Sequence, residues 1–257
     1  MPSSPEKFQV ATVVSRKDYA ADLWSIRVLP EARLEFKPGQ YATLGLEDGV
    51  HRLHEKPYSI VSSPVEDEIE FFFELVPQGE LTPVLHALKK GDTVMMRRQA
   101  KGLFTLDEKT GHKQHFMVST VTGVAPYVSM ARTVAAQIKA GQPTDLKFVM
   151  LQSASRSWEL AYHEEMAALA KTGNWLHYIP TISRPWEDPG WKGEMGRAED
   201  VLRKYLDQFR LSPSDTTFYG CGHPTMIENA KGILKRCGFT KESIREEVYW
   251  VPKKETK

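Results

Sequence analysis

The stretch that decides the fold is His115-Phe116-Met117-Val118-Ser119-Thr120-Val121-Thr122-Gly123-Val124-Ala125-Pro126. Its first five residues form an apolar run of strand length. Its small-residue sequel leads into Val128–Lys139, where apolar residues recur at helical spacing. A strand running through a short loop into a helix is the opening of a βαβ unit, and the same rhythm continues downstream. Leu146 to Leu151 reads as a strand, Glu159 to Lys171 as a helix, and Leu176 to Ile182 as a strand. Arg197 to Phe209 then reads as a helix, Thr216 to Cys221 as a strand, and Pro224 to Cys237 as a helix. This alternation predicts a parallel sheet with crossover helices.

Upstream the rhythm differs. Phe8 to Val14 and Leu23 to Leu29 are short apolar or alternating runs around a polar turn at Arg16–Asp22. Tyr41 to Leu46, Pro57 to Val61, Glu68 to Val76 and Thr93 to Arg97 follow, broken by Gly and Pro. Short strands at this spacing predict an antiparallel barrel or sandwich, in which Phe71-Phe72-Phe73 reads as core. One helix interrupts them, Thr82 to Lys89, ending in Lys-Lys-Gly-Asp. The expected boundary lies near residues 105–113. The plan is therefore two domains: an antiparallel β-barrel over residues 1–108, then an α/β domain with a parallel sheet over residues 109–257.

Composition narrows the function classes. The 257 residues are 41% hydrophobic and 26% charged, ordinary for a globular protein. A net charge of +1 implies no strong attraction to nucleic acid or anionic lipid. No apolar stretch reaches the roughly 18 residues of a membrane span, and Met1 to Lys7 has no apolar core of a signal peptide. A reduced cytoplasmic setting is expected. The two cysteines, Cys221 and Cys237, are too few to hold a thiol-ligated iron–sulfur or structural zinc site. No histidines show metal-ligand spacing, so no metal is expected, and His112 and His115 read as solvated linker residues. Ser119 and Ser129 do not lie in GxSxG.

Six segments carry possible chemistry. Lys56-Pro57-Tyr58-Ser59 puts a cation, an aromatic ring and a hydroxyl within one strand, suited to a flat charged ligand, although it also reads as an ordinary edge strand. Gly79-Glu80-Leu81-Thr82 opens a helix whose unpaired N–H groups suit a pyrophosphate, or is a simple turn capped by Thr82. Thr120–Pro126 lies where α/β sheets bind ligands. Arg156, Arg184 and Arg197 each follow a predicted strand end, with Ser155 and Ser183 beside two of them; guanidinium groups bind a phosphate monoester bidentately. Gly220-Cys221-Gly222 lets a planar ring come close, or holds a structural cysteine. Glu246-Glu247-Val248-Tyr249-Trp250 is a docking strand or an aromatic cover.

Taken in order from about Phe8 to Trp250, these segments resemble the ferredoxin–NADP reductase family. Lys56-Pro57-Tyr58-Ser59 is similar to its Arg-x-Tyr-Ser flavin motif, with Lys in place of Arg, and Gly79 to Thr82 to its Gly-x-Leu-Thr/Ser motif. Thr120 to Pro126 is similar to Thr-Gly-Thr-x-x-x-Pro, with Val121 where glycine is usual, and Cys221-Gly222 to the Cys-Gly motif. The tail resembles the bacterial subclass closed by Glu-x-Tyr-Trp, here followed by Val251 to Lys257.

The resemblance implies FAD on the barrel and NADP(H) on the α/β domain, with the aromatic tail returning to the flavin. Lys56, Pro57, Tyr58, Ser59, Glu74, Val76, Gly79, Leu81, Thr82, Thr122, Tyr249 and Trp250 would hold FAD. Thr122, Gly123, Arg156, Ser183, Arg184, Arg197, Cys221 and Gly222 would hold NADP(H). Tyr58, Ser59, Cys221, Glu247 and Tyr249 would surround the hydride path, with Tyr249 displaced when nicotinamide enters. The implied reaction passes electrons from NADPH to ferredoxin or flavodoxin, with the protein a monomer. Lys89, Lys90, Arg97, Arg98 and Lys101 are the basic residues expected to meet an acidic carrier. Free-flavin reduction, an oxygenase reductase component and a non-catalytic flavoprotein subunit are the alternative readings.

Overall fold

The computed structural model describes residues 7–47 and 53–249, in two compact units. Trp250 and Val251–Lys257 of the expected tail lie outside the described residues.

The first unit comprises the chain through Leu106 together with Ala125–Gly141. Strands β1 (Phe8–Ala20), β2 (Leu23–Pro30), β3 (Tyr41–Glu47), β4 (Leu53–Ser59), β5 (Ile69–Glu74) and β6 (Thr93–Arg97) form an antiparallel sheet ordered β4-β3-β6-β1-β2-β5. A bridge from Ile60, just past β4, to Phe71 of β5 curls this sheet toward closure as a barrel. Strand alternation fills its interior. Trp24, Ile26 and Val28 on β2 oppose Phe73, Phe71 and Ile69 on β5, and all are buried. Each such aliphatic side chain contributes about 1.5–3 kcal/mol on burial. Trp24 and Phe73 stack with ring centroids 5.3 Å apart. Phe71 and Phe73 are core, as expected; Phe72 points to the other face and meets Tyr19.

The polar segment Arg16–Asp22 is not a turn. β1 continues to Ala20, and only Ala21 and Asp22 separate it from β2. The charged residues are tolerated because their side chains leave the core: Arg16 pairs with Asp18 at 2.7 Å and covers the Trp24 ring. The helix expected over Thr82–Lys89 is shorter, α1 (Thr82–Ala87), with Pro83 in its first turn. Helix α2 (Ala125–Lys139) belongs to this first unit. The buried Ser129 hydroxyl donates to the Ser62 carbonyl at 2.6 Å, and Arg132 pairs with buried Glu70 at 2.8 Å. Glu70 also receives Arg27, so no buried charge is left uncompensated there.

The second unit spans Asp107–Val124 and the chain from Gln142 onward. Its strands β7 (Gln114–Thr120), β8 (Lys147–Ala154), β9 (Leu176–Ile182), β10 (Glu194–Met195), β11 (Thr216–Gly222) and β12 (Ile244–Val248) pair in parallel throughout, in the order β10-β9-β8-β7-β11-β12. Strand β11 is buried along its whole length, as a central parallel strand is. Helices α3 (His163–Ala170), α4 (Ala198–Gln208) and α5 (Pro224–Arg236) lie between strands. Ala198, Val201, Leu202 and Leu206 of α4 pack with Ile227, Ala230 and Leu234 of α5 over Phe116, Val118 and Phe218. The chain moves outward from β7 through β8, β9 and β10, then returns to the other side of β7 at β11. That reversal is a topological switch point, where α/β sheets bind ligands.

His115, which begins the predicted apolar run but whose ring was expected to be solvated, is the second residue of β7 and is 1% exposed. It is enclosed by Phe148 and Tyr219, each with its ring centroid 5.6 Å away, and neither ring nitrogen has a hydrogen-bond partner. Burial pushes its pKa down to about 4, against a smaller opposing pull from Asp107.

Candidate functional site

At the switch point, Thr120 ends β7, and Val121–Val124 form a 3-10 turn before α2 begins at Ala125. The helix thus starts three residues earlier than its apolar spacing suggests. Across from this turn, Cys221 and Gly222 end β11. The two loops interlock through glycines. A Cβ on Gly123 would sit 2.3 Å from the Cys221 carbonyl oxygen, and one on Gly222 would sit 2.3 Å from Thr120 Oγ1 and 2.9 Å from its carbonyl oxygen. Gly222 also has φ +121°, a conformation that L side chains rarely adopt. The Thr120 hydroxyl accepts the His223 N–H at 2.8 Å and locks the second loop to the first.

Strand β12 brings the tail to the same place. Glu247 lies beside Cys221 in register, and the Tyr249 N–H donates to the Gly222 carbonyl at 3.1 Å. The Tyr249 hydroxyl donates to the Thr122 carbonyl at 3.3 Å. Thr122, Gly123, Cys221, Gly222, Glu247 and Tyr249, far apart in sequence, therefore form one cluster. Cys221 is fully buried. Burial and then the Glu247 charge push its thiol well above the usual range, so it stays neutral and is no nucleophile. Sequence reasoning missed Ser119, next to Cys221 in register, whose buried hydroxyl has no protein partner. Its location at the end of β7, opposite Cys221, was the available signal.

Val121 occupies the position that is glycine in the resembling family, and its φ is +43°. A β-branched residue in this left-handed region is strained by about 1–2 kcal/mol.

The three arginines form a row. Ala154, Ile182 and Met195 stand side by side in the register of β8, β9 and β10. Arg156, Arg184 and Arg197 each lie two residues beyond one of them. Neighbouring parallel strands are about 4.8 Å apart, so the three side chains leave one edge of the sheet together. The pairing continues past the strands: the Ser183 N–H donates to the Ala154 carbonyl and the Arg184 N–H to that of Ser155, both at 3.0 Å. Arg197 immediately precedes α4 and makes no ion pair among the described residues. Arg156 and Arg184 are held by carboxylates.

In the first unit, Tyr58 and Lys56 on β4 oppose Ala42 and Leu44 on β3, while Ser59 opposes Tyr41 on the other parity. Tyr58 is half-buried and meets Phe73 edge-on with centroids 4.8 Å apart. Burial raises its pKa, keeping the phenol neutral. Lys56 and Pro57 are exposed, and Ser59 is buried. Glu74 is exposed at the end of β5. Thr82 does not cap α1; its hydroxyl folds back to accept the Val76 N–H at 3.0 Å and to donate to the Val76 carbonyl at 3.2 Å. Gly79 closes the intervening turn through its N–H to the same carbonyl, and Leu81 is core. Elsewhere on this unit, Lys7, Arg97, Arg98, Gln99 and Lys101 line an open depression of about 350 Å³. Arg97 is engaged by Glu55 at 2.7 Å.

Among the described residues, no helix is long and apolar enough to cross a membrane. Comparison with known proteins adds the following. Residues 117–232 match the oxidoreductase NAD-binding domain family. A ferredoxin–NADP reductase of Pseudomonas aeruginosa is 29% identical, over 88% of this chain and 89% of its own length. A flavodoxin/ferredoxin–NADP reductase of Shigella flexneri is 30% identical over 77% of this chain and 78% of its own. The crystal structure of a ferredoxin NADP+ reductase from Neisseria gonorrhoeae, with bound FAD and NADP, superposes with a TM-score of 0.81 at 24% identity, covering 95% of this chain and 99% of that one. With a barrel preceding a parallel sheet, glycine-interlocked loops at the switch point and relatives of this similarity across most of its length, the chain belongs to the flavodoxin/ferredoxin–NADP reductase family.

Proposed function

We propose that the protein is an FAD-dependent oxidoreductase of the cytoplasm that passes electrons between NADPH and a ferredoxin or flavodoxin. The observation that carries the NADPH part is the row of three arginines in register at the ligand-binding edge of the sheet. Guanidinium groups there suit a phosphate monoester. The interlocked glycines hold the two strand-end loops together at the switch point, the place where a nucleotide would bind.

FAD fits the first unit on its residue chemistry. Tyr58 offers a ring fixed in orientation by Phe73 and Lys56 a cation two residues away on the same face, while the buried Ser59 hydroxyl lies on the opposite face of β4. The turn from Val76 to Thr82, clasped by the Thr82 hydroxyl, would hold the pyrophosphate with Gly79 and Leu81, with Glu74 beside them on the same unit. Bound FAD would supply the exchange between hydride and single-electron transfer. The protein then has to position, exclude water and release. Cys221 and Glu247 would flank the nicotinamide, the neutral thiol adding polarizable surface without a charge. The Tyr249 hydroxyl is held by the Thr122 carbonyl, so its displacement as a gate breaks at least that hydrogen bond, at a cost of about 1 kcal/mol. The basic depression at Lys7, Arg98 and Lys101 supports docking of an acidic carrier.

The test is the visible spectrum of the purified protein, followed by anaerobic titration with NADPH and with NADH. A flavin band that bleaches with NADPH at lower concentration than with NADH is expected. A folded, colourless protein that takes up no FAD, or a flavin that NADPH leaves oxidised, refutes the proposal.

A further inference from the structure

Arg156 is fully engaged by carboxylates. Its Nε and Nη2 both meet Glu187 Oε2, the former at 2.7 Å, and its Nη1 meets Glu159 Oε1 at 2.8 Å. Arg184 Nη1 lies 3.6 Å from the other oxygen of Glu187. One carboxylate thus spans two arginines of the row, as a phosphate would.

The two glutamates differ in how they are held. Glu159 has 16% side-chain exposure, and its Oε2 accepts the N–H groups of Ser155 at 2.8 Å and Arg156 at 3.3 Å. It is part of the loop's construction. Glu187 ends the short turn Pro185–Glu187, has 35% side-chain exposure, and among the described residues its carboxylate meets the two arginines alone. Swinging it into water strands no buried charge and opens no backbone hydrogen bond.

We propose that Glu187 is a resident counter-charge seated where the 2′-phosphate of the coenzyme binds, and that its displacement sets how strongly the enzyme prefers NADPH to NADH. The inference rests on the reading of Arg156 and Arg184 as the phosphate clamp. A dianionic phosphate must exchange with Glu187, whereas an adenosine without the phosphate leaves the carboxylate in place. Part of the gain from binding the phosphate is therefore offset by the lost ion pairs, and the preference for NADPH is smaller than three arginines alone would produce.

The test is calorimetric titration of the FAD-loaded full chain with 2′-AMP and with 5′-AMP. Glu187→Gln keeps the shape and removes the charge. It is expected to bind 2′-AMP about fivefold more tightly, the effect of removing one partly solvated charge near a phosphate, with 5′-AMP affinity unchanged. Glu159→Gln, whose carboxylate serves the backbone, is expected to give no gain. Unchanged or weaker 2′-AMP binding by Glu187→Gln, or equal tightening of 5′-AMP, overturns the inference. Arg184→Ala separates this from the underlying reading: if it leaves 2′-AMP affinity intact, the clamp itself is wrong.

Discussion

Replacing His115 with Leu should abolish a specific part of the protein's acid sensitivity. The histidine is buried in β7 with both ring nitrogens unpartnered, and its pKa lies at about 4 against an ordinary value of 6.5. Between these values the unfolded chain binds a proton that the folded chain refuses. Stability therefore falls as pH drops from 6.5 toward 4, and below 4 the penalty is complete. The gap of about 2.5 pH units corresponds to about 3 kcal/mol at 1.36 kcal/mol per unit. Above pH 7 the substitution should cost little, since leucine removes two unsatisfied buried polar atoms and keeps an apolar filling. Urea denaturation of both proteins at pH 7.5, 5.5 and about 4, each followed by fluorescence, measures the difference. The wild type should lose about 3 kcal/mol relative to His115→Leu across that range. Parallel pH dependences of the two proteins would mean that His115 finds a proton partner or titrates normally, and would refute the argument.

Two further predictions concern the same unit. Gly123→Ala should lower stability by about 1–3 kcal/mol and weaken NADPH binding in a fluorescence titration, because its Cβ meets the backbone of Cys221 at 2.3 and 2.7 Å. Gly232→Ala in the interior of α5, where the nearest atom is 3.8 Å away, should instead stabilise by up to about 1 kcal/mol; equal effects would deny the interlock. The Asp107 side chain is 2% exposed; burial raises its pKa, but hydrogen bonds from Thr110 and Arg245 outweigh this and hold it at about 2. Its depressed pKa contributes about 2 kcal/mol that is present above the unfolded value of 3.8 and lost as pH falls through 2. Asp107→Asn should therefore be less stable by about that amount at pH 7, with the gap closing in acid denaturation.

Much of the architecture is written in local patterns. Alternation in β2 and β5, the apolar runs of β7, β8 and β11, and the helical spacing of α4 and α5 each reflect which side chains must leave water, so the two-domain plan could be read directly. The small residues of Thr120–Pro126 and Cys221-Gly222, and the arginines after three strand ends, marked the candidate site, because loop composition is a local property. Element ends were less legible. Arg16 and Asp18 look like a turn because their charges hide a strand whose polar side chains simply face outward and pair.

The amino-acid sequence alone determined the order of strands and helices and the chemical types at the C-terminal edge of the parallel sheet, because periodicity and loop composition are properties of neighbouring residues. Only the tertiary structure decided that Ala154, Ile182 and Met195 stand abreast, that Gly123 meets Cys221, that Glu187 rather than solvent faces Arg156, and that His115 is sealed between Phe148 and Tyr219. Those facts depend on strand order and register, which are fixed by burial of whole faces across residues distant in the chain.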